Sequence, residues 1–224
     1  MSLRTFIAEA LTNFDTVAAV TPSSKYLAAA MLETLALRRA RVVVEFGAGT
    51  GAITRELLRQ LPSDAHLLVF EINPRFFAYL RQSISDPRVE LISSSAEDFD
   101  TELHRRGIQQ VDCVASSLGL ALMPEPKRHA LFERLAPFLH PRSAFTQYHY
   151  IHGLQWSNGR LKRMDLRPLL QRYFASVESR IVWRNLPPAW VFSCYPQPIM
   201  RASNSWSHAI LGQLRSAEPE HKRI

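Results

Sequence analysis

Residues 41–52 read RVVVEFGAGTGA. Arg41–Phe46 is short, β-branched and apolar, as a strand buried on both faces should be. The next six residues hold three of the chain's eight glycines, Gly47, Gly49 and Gly51. Glycine lets a backbone turn tightly and lets a ligand approach it closely. A helical pattern then runs through Leu61. Strand, glycine loop and helix in that order are the opening of a nucleotide-binding βαβ unit.

The pattern repeats downstream. His66–Phe70 reads as a second strand, Pro74–Ile84 as a helix, Arg88–Ile92 as a third strand and Val111–Ala115 as a fourth. Pro126–Leu139 is helical and Ala144–Tyr150 is a fifth strand. Strands alternating with helices predict a parallel α/β sheet. After Tyr150 come a basic stretch and a short helix, about Met164–Tyr173. Two strands follow, Val177–Trp183 and Ala189–Tyr195, joined by Arg184-Asn-Leu-Pro-Pro188, which predicts a hairpin at the sheet edge. Upstream, Leu3, Phe6, Ile7, Ala10, Leu11 and Phe14 form one amphipathic stripe over residues 2–14. Thr21 and Pro22 read as the cap and first turn of a second helix running to about Leu37. The expected organisation is therefore helices over 1–40, an α/β domain over 41–195 and a polar tail over 196–224. The tail carries a weak helical stripe of Trp206, Ile210, Leu211 and Leu214.

The bulk properties narrow the class. At 224 residues, 46% hydrophobic and 21% charged, the chain fits one globular domain. No apolar run reaches the length of a membrane span, and the N-terminus lacks the apolar core of a secretory signal. Two cysteines, Cys113 and Cys194, are too few for a disulfide framework, and no Cys/His spacing suits a metal. A reducing cytoplasm is the expected setting. Net charge is +7, and residues 151–190 carry seven basic and two acidic side chains. Such a segment attracts phosphate, in nucleic acid or in an anionic bilayer; a solvated basic face is the plainer reading.

Glu71 lies at the end of the second strand, where an acid accepts hydrogen bonds from both hydroxyls of a ribose. A nucleoside-containing cofactor follows. Gly47-Ala48-Gly49-Thr50-Gly51-Ala52 would pass for a dinucleotide loop, but Glu45 argues otherwise. A carboxylate there is poorly placed beside a pyrophosphate and well placed for the ammonium of S-adenosylmethionine. Glu45-Phe-Gly-Ala-Gly-Thr-Gly51 resembles the first motif of class I methyltransferases. The resemblance implies a Rossmann-like fold with a seven-stranded, mostly parallel sheet, an antiparallel edge hairpin and N-terminal helices. It implies that Glu45, Gly47, Ala48, Gly49, Gly51, Glu71, Ile72, Asn73, Ala96, Glu97, Ser116, Ser117 and Leu118 bind the cofactor, with S-adenosylhomocysteine as product.

Base-methylating members carry an Asn/Asp-Pro-Pro-Tyr type of motif after the fourth strand, which grips a flipped base. Ser116-Ser117-Leu118-Gly119 lacks the Asn and the aromatic, which counts against RNA as acceptor. The segments 19–24, Ser116–Leu118, Met123-Pro124, Gln147 with Tyr150, and Val182–Ala189 resemble bacterial phospholipid N-methyltransferases. That likeness implies N-methylation of a membrane aminolipid, first phosphatidylethanolamine towards phosphatidylcholine, with an ornithine-type lipid as alternative. It also implies a peripheral enzyme on the inner, cytoplasmic membrane face, anchored through residues 2–14; the charge of the basic segment is expected to add attraction to anionic lipids. Gly119 replaces the proline usual in this family. Methyl transfer from a sulfonium needs alignment and a route for a proton, with no metal. Tyr148, His149 and Tyr150 are the candidate catalytic residues, the tyrosine faces also attracting a cation. Arg184, Gly119 and Gln147 are the candidate acceptor-binding residues. His129 and His140 are expected at the surface, and Cys113 as inert core.

Overall fold

The computed structural model describes residues 24–197, apart from 152–153, 158–159 and 164; for 154–157 and 160–163 it describes the backbone alone. The expected helix over 2–14, the expected start at Thr21-Pro22 and the stripe after Trp206 lie outside the described residues.

Five parallel strands form most of one seven-stranded sheet. They are β1 (Val42–Phe46), β2 (His66–Phe70), β3 (Val89–Ile92), β4 (Val111–Ser116) and β5 (Leu139–Tyr150). Helix α1 (Lys25–Leu32) precedes them, and α2 (Ala52–Gln60), α3 (Pro74–Ser83), α4 (Phe99–Arg105) and α5 (Glu125–Leu135) connect them. A separate hairpin, β6 (Leu154–Ser157) and β7 (Arg160–Arg163), and a short helix α6 (Arg167–Gln171) lead to β8 (Ser176–Val182) and β9 (Ala189–Tyr195). The sheet order is β3-β2-β1-β4-β5-β9-β8, with β9 antiparallel to both neighbours. The edge hairpin anticipated over 177–195 is therefore present.

Period-two alternation assigns the core to two layers. Val43, Leu67, Val69, Cys113, Ala115, Ala144 and Val191 face α1, α2 and α3. Val44, Phe46, Leu68, Phe70, Val114, Phe145 and Phe192 face α4, α5 and α6. β1 and β2 are covered on both sides, which is why they can be almost wholly apolar. On the second face Phe46, Phe99 and Phe138 pack ring to ring, as do Phe132, Phe145 and Phe174.

Helix starts follow local chemistry. The Ser24 hydroxyl accepts the Leu27 amide, and the Asn73 side chain accepts the Arg75 amide ahead of Pro74. Three expectations are corrected. Helix α1 begins after a Ser24 cap and ends at Leu32 rather than about Leu37. Buried Leu35 and Leu37 draw the chain into the core, and Thr34 bonds the Ser193 hydroxyl at 2.8 Å. The fifth strand starts at Leu139, five residues early, with a register break between its pairings to Val111 and Cys113. The basic stretch after Tyr150 contains the β6–β7 hairpin rather than irregular chain.

Candidate active site

All five parallel strands end at one edge. Phe46 is level with Phe70 and Ser116, Phe70 with Ile92, and Ser116 with Gln147. Sheet order reverses between β1 and β4, so the loops after them diverge and leave a crevice at that edge. The Gly47 amide donates to the Phe70 carbonyl at 2.9 Å and the Ser117 amide to the Phe46 carbonyl at 2.8 Å. Both loops are thereby held to the sheet before they part.

The loop from Gly47 to Gly51 takes its shape from three left-handed glycines, with φ of 75°, 55° and 79° at Gly47, Gly49 and Gly51. Two of them do different work. A Cβ on Gly51 would stand 2.8 Å from the Leu80 side chain, so this glycine admits the packing of α2 on α3. A Cβ on Gly49 would meet nothing within 4 Å among the described residues. It would point into space a ligand can fill.

Two acids flank this loop. Glu71, nearly buried at the end of β2, accepts the Gly49 amide through Oε2 and the Asn73 amide through Oε1, both at 2.7 Å. These bonds fix the carboxylate and leave lone pairs for ligand hydroxyls. Burial nevertheless raises its affinity for a proton. Glu45, the fourth residue of β1, is 0% exposed, and among the described residues neither of its oxygens has a hydrogen-bond partner. Burial pushes its carboxyl up to about 7; the Thr54 hydroxyl and amide, near but outside hydrogen-bond geometry, oppose the shift, and the Glu71 charge adds to it. An orphaned buried carboxylate is costly unless a cation completes it. Glu45 without a partner and Glu71 fixed by two amides, on either side of the glycine loop, suit a ligand bearing an ammonium and a ribose. S-adenosylmethionine carries both, and these residues fit it.

The remaining predicted residues sort as follows. Ile72 is 47% exposed beside Glu71, an apolar surface suited to a flat base. Ala96 and Glu97 form a short turn after β3, capped by the Ser95 hydroxyl on the Glu97 amide. Glu97 is engaged by Lys127 of α5 at 2.9 Å. Ser116 is fully buried at the end of β4, Ser117 and Leu118 are half-buried, and Gly119 is exposed. Gln147 is a strut: its amide nitrogen donates to the Leu118 carbonyl at 3.0 Å and the Tyr148 carbonyl at 2.6 Å, tying the post-β4 loop to β5.

The three aromatic candidates on β5 do not share a face. Tyr148 and Tyr150 lie opposite Val191 and Ala189, pack with the α1 layer and touch edge to face at 5.4 Å. His149 lies opposite Trp190 and projects to the other side. Arg184 is engaged by helix α1. It lies 4.0 Å over the Tyr26 ring and donates to the Tyr26 hydroxyl at 2.7 Å. The two histidines of α5 and β5 are not free surface groups. His129 bonds the Tyr173 hydroxyl at 2.6 Å and His140 bonds Asp112 at 2.9 Å. Cys113 is core, as expected, its thiol pushed up to about 12 by burial. A cleft of about 440 Å³ lined by His104, Gln109 and Pro137 lies at the opposite end of the strands from these acids. Sequence reasoning missed Thr54 and Gln147's role as a strut; only the fold brings Thr54 under Glu45.

A doubly wound sheet with an acid-flanked glycine loop at its switch point defines a nucleoside-binding α/β enzyme. Residues 43–142 match the family described as methyltransferase domain. The ornithine lipid N-methyltransferase of Singulisphaera acidiphila is 31% identical over 179 residues, covering 80% of this chain and 88% of that protein. The ribosomal RNA small subunit methyltransferase H of Aromatoleum aromaticum is 34% identical over 95 residues, 42% of this chain and 30% of its own length. Among solved structures, the 1,6-didemethyltoxoflavin-N1-methyltransferase of Burkholderia thailandensis, with bound S-adenosylhomocysteine, superposes with a TM-score of 0.62 at 18% identity. It covers 87% of this chain and 89% of that one. The chain belongs to the class I S-adenosylmethionine-dependent methyltransferases.

Proposed function

We propose that this enzyme methylates the amino group of a membrane aminolipid at the cytoplasmic face of the membrane. The observation that carries methyl transfer is Glu45, a buried carboxylate without a hydrogen-bond partner among the described residues, beside a left-handed glycine loop. The acceptor class is supported by similarity to the Singulisphaera protein over most of both chains. That protein's name favours an ornithine-type head group over phosphatidylethanolamine.

When bound, S-adenosylmethionine supplies an electrophilic methyl on a sulfonium, open to in-line displacement by an amine. The chain's residues align the two partners and exclude water. Glu45 would hold the ammonium, the Gly47–Gly51 backbone would pack against the cofactor's chain, and Glu71 would accept the ribose hydroxyls. Ile72 and the Ala96–Glu97 turn flank the base, and Ser116–Leu118 line the side facing the acceptor. Tyr148 and Tyr150 offer ring faces to the amine, which becomes more positive as the new bond forms. Gln147 keeps the post-β4 loop at a fixed distance from those rings.

The test is transfer of label from S-adenosylmethionine to ornithine lipid, phosphatidylethanolamine and total RNA offered in parallel. Label in ornithine lipid is expected. Label in phosphatidylethanolamine keeps the chemistry and changes the head group; label in RNA alone overturns the reading.

A further inference from the structure

The turn between β8 and β9 is built with its apolar residues outward. Trp183 is 68% exposed and Leu186 71%. Asn185, between them, is 1% exposed and points inward. Its Oδ1 accepts the Ser24 amide at 3.2 Å and its amide nitrogen donates to the Pro187 carbonyl at 2.7 Å. With Arg184 held on Tyr26, the turn is pinned from inside and presents an indole and an isobutyl group to the exterior. Ala189 pairs with Tyr150, so the turn stands at the carboxyl edge of the sheet, the edge that carries the crevice. Exposed Ile72 and Leu122 also lie in loops at that edge, at 47% and 43%.

The accompanying charge is basic. Arg184 and Lys25 are exposed beside the turn. The β6–β7 segment, which leaves the same edge after β5, contains Arg160, Lys162 and Arg163 and no acid from 154 to 163. Indole with a neighbouring aliphatic side chain suits the interface of a bilayer, and cations suit its anionic lipids.

We propose that the Trp183–Leu186 turn is a wedge that seats this edge of the sheet on an anionic bilayer and turns the crevice towards lipid head groups. The inference rests on the aminolipid reading above and names the surface that reading needs. The competing occupant is residues 1–23 of this chain, which join the described part at Ser24, beside Asn185.

The experiment uses the full chain with vesicles of phosphatidylcholine, with and without phosphatidylglycerol, carrying brominated acyl chains. Tryptophan fluorescence should be quenched on the anionic vesicles, and Trp183→Phe should remove most of the quenching. Trp183→Ser with Leu186→Ser should lower vesicle partitioning about tenfold or more. Melting temperature without vesicles and cofactor affinity should stay unchanged. Wild-type partitioning by the double variant, or quenching that survives Trp183→Phe, overturns the wedge. A lower melting temperature without lipid also overturns it, because the turn is then covered by protein. Methylation of detergent-dispersed aminolipid is read separately. Its absence in the wild type would count against the acceptor class and leave the vesicle result standing.

Discussion

Glu45 and Gly49 divide the cofactor problem between charge and space. Burial holds the Glu45 carboxyl near 7, a preference for the neutral form of about 3 kcal/mol. Its folded-state value lies above its ordinary one, so its contribution to stability is greatest in acid. That contribution is lost as pH climbs from about 4.5 to about 7. Glu45→Gln should therefore flatten this part of the melting-temperature profile of the free enzyme, read by calorimetry. A cationic ligand wants the ionised form, so cofactor affinity should rise with pH through the same window. Glu45→Gln should weaken that affinity about 10- to 100-fold and remove its pH dependence in titration calorimetry. At Gly49, with φ 55° and open space beyond, Gly49→Ala should cost only about 1–2 kcal/mol of backbone strain yet lower affinity at least about tenfold. Gly51→Ala should do the opposite, dropping the melting temperature more through its clash with Leu80. The residue chemistry was legible because Glu45 and the three glycines fall within residues 45–51. The aromatic candidates were harder: adjacency grouped Tyr148, His149 and Tyr150, while a strand sends neighbours to opposite faces.

Among the elements, Arg88 does the most to hold the cofactor loop's helix in place. Its guanidinium donates to the Leu61 carbonyl at 2.7 Å and the Leu58 carbonyl at 2.9 Å while gripping Asp86. It thus closes the carboxyl end of α2 and ties it to the start of β3. Arg88→Met should destabilise by about 1–3 kcal/mol in denaturant titration, with little change in the cofactor-binding enthalpy. Asp86 is held down to about 2 by this arginine, so the pair's support is present above about 3.8 and lost as pH falls towards 2. Its loss should make the variant's acid limb shallower. Strands β2 and β9 were read to the residue because each is a tight run bounded by turn formers. The β6–β7 hairpin was not, because each strand is only four residues long and three of the four in Arg160–Arg163 are basic, the mark of a solvated stretch. Helix α4 has only Phe99 and Leu103 buried, too short a stripe to register as a period.

At the scale of the molecule, the buried carboxylate of Glu45, which has no hydrogen-bond partner among the described residues, couples folding to the binding of a cationic ligand. S-adenosylmethionine at about one hundred times its dissociation constant should add about 2.7 kcal/mol to folding stability. For a chain of this size that is a rise in melting temperature of roughly 5–10 °C, readable by thermal shift. No helix among the described residues is long and apolar enough to cross a membrane. The doubly wound architecture was legible from alternating strands and helices. The long-range contacts were not, since Gln147 reaches back 29 positions to Leu118 and His129 forward 44 to Tyr173.

The chain's two thiols lie on opposite faces of the sheet, Cys113 against the α1–α3 layer and Cys194 against the α4–α6 layer. Burial raises the proton affinity of both well above a free thiol. They cannot pair with each other, and at neutral pH neither offers a thiolate to a maleimide. A cysteine introduced on the exterior would then be the only thiol to take a label. The native enzyme is, in effect, a silent background on which single reporters can be read one position at a time.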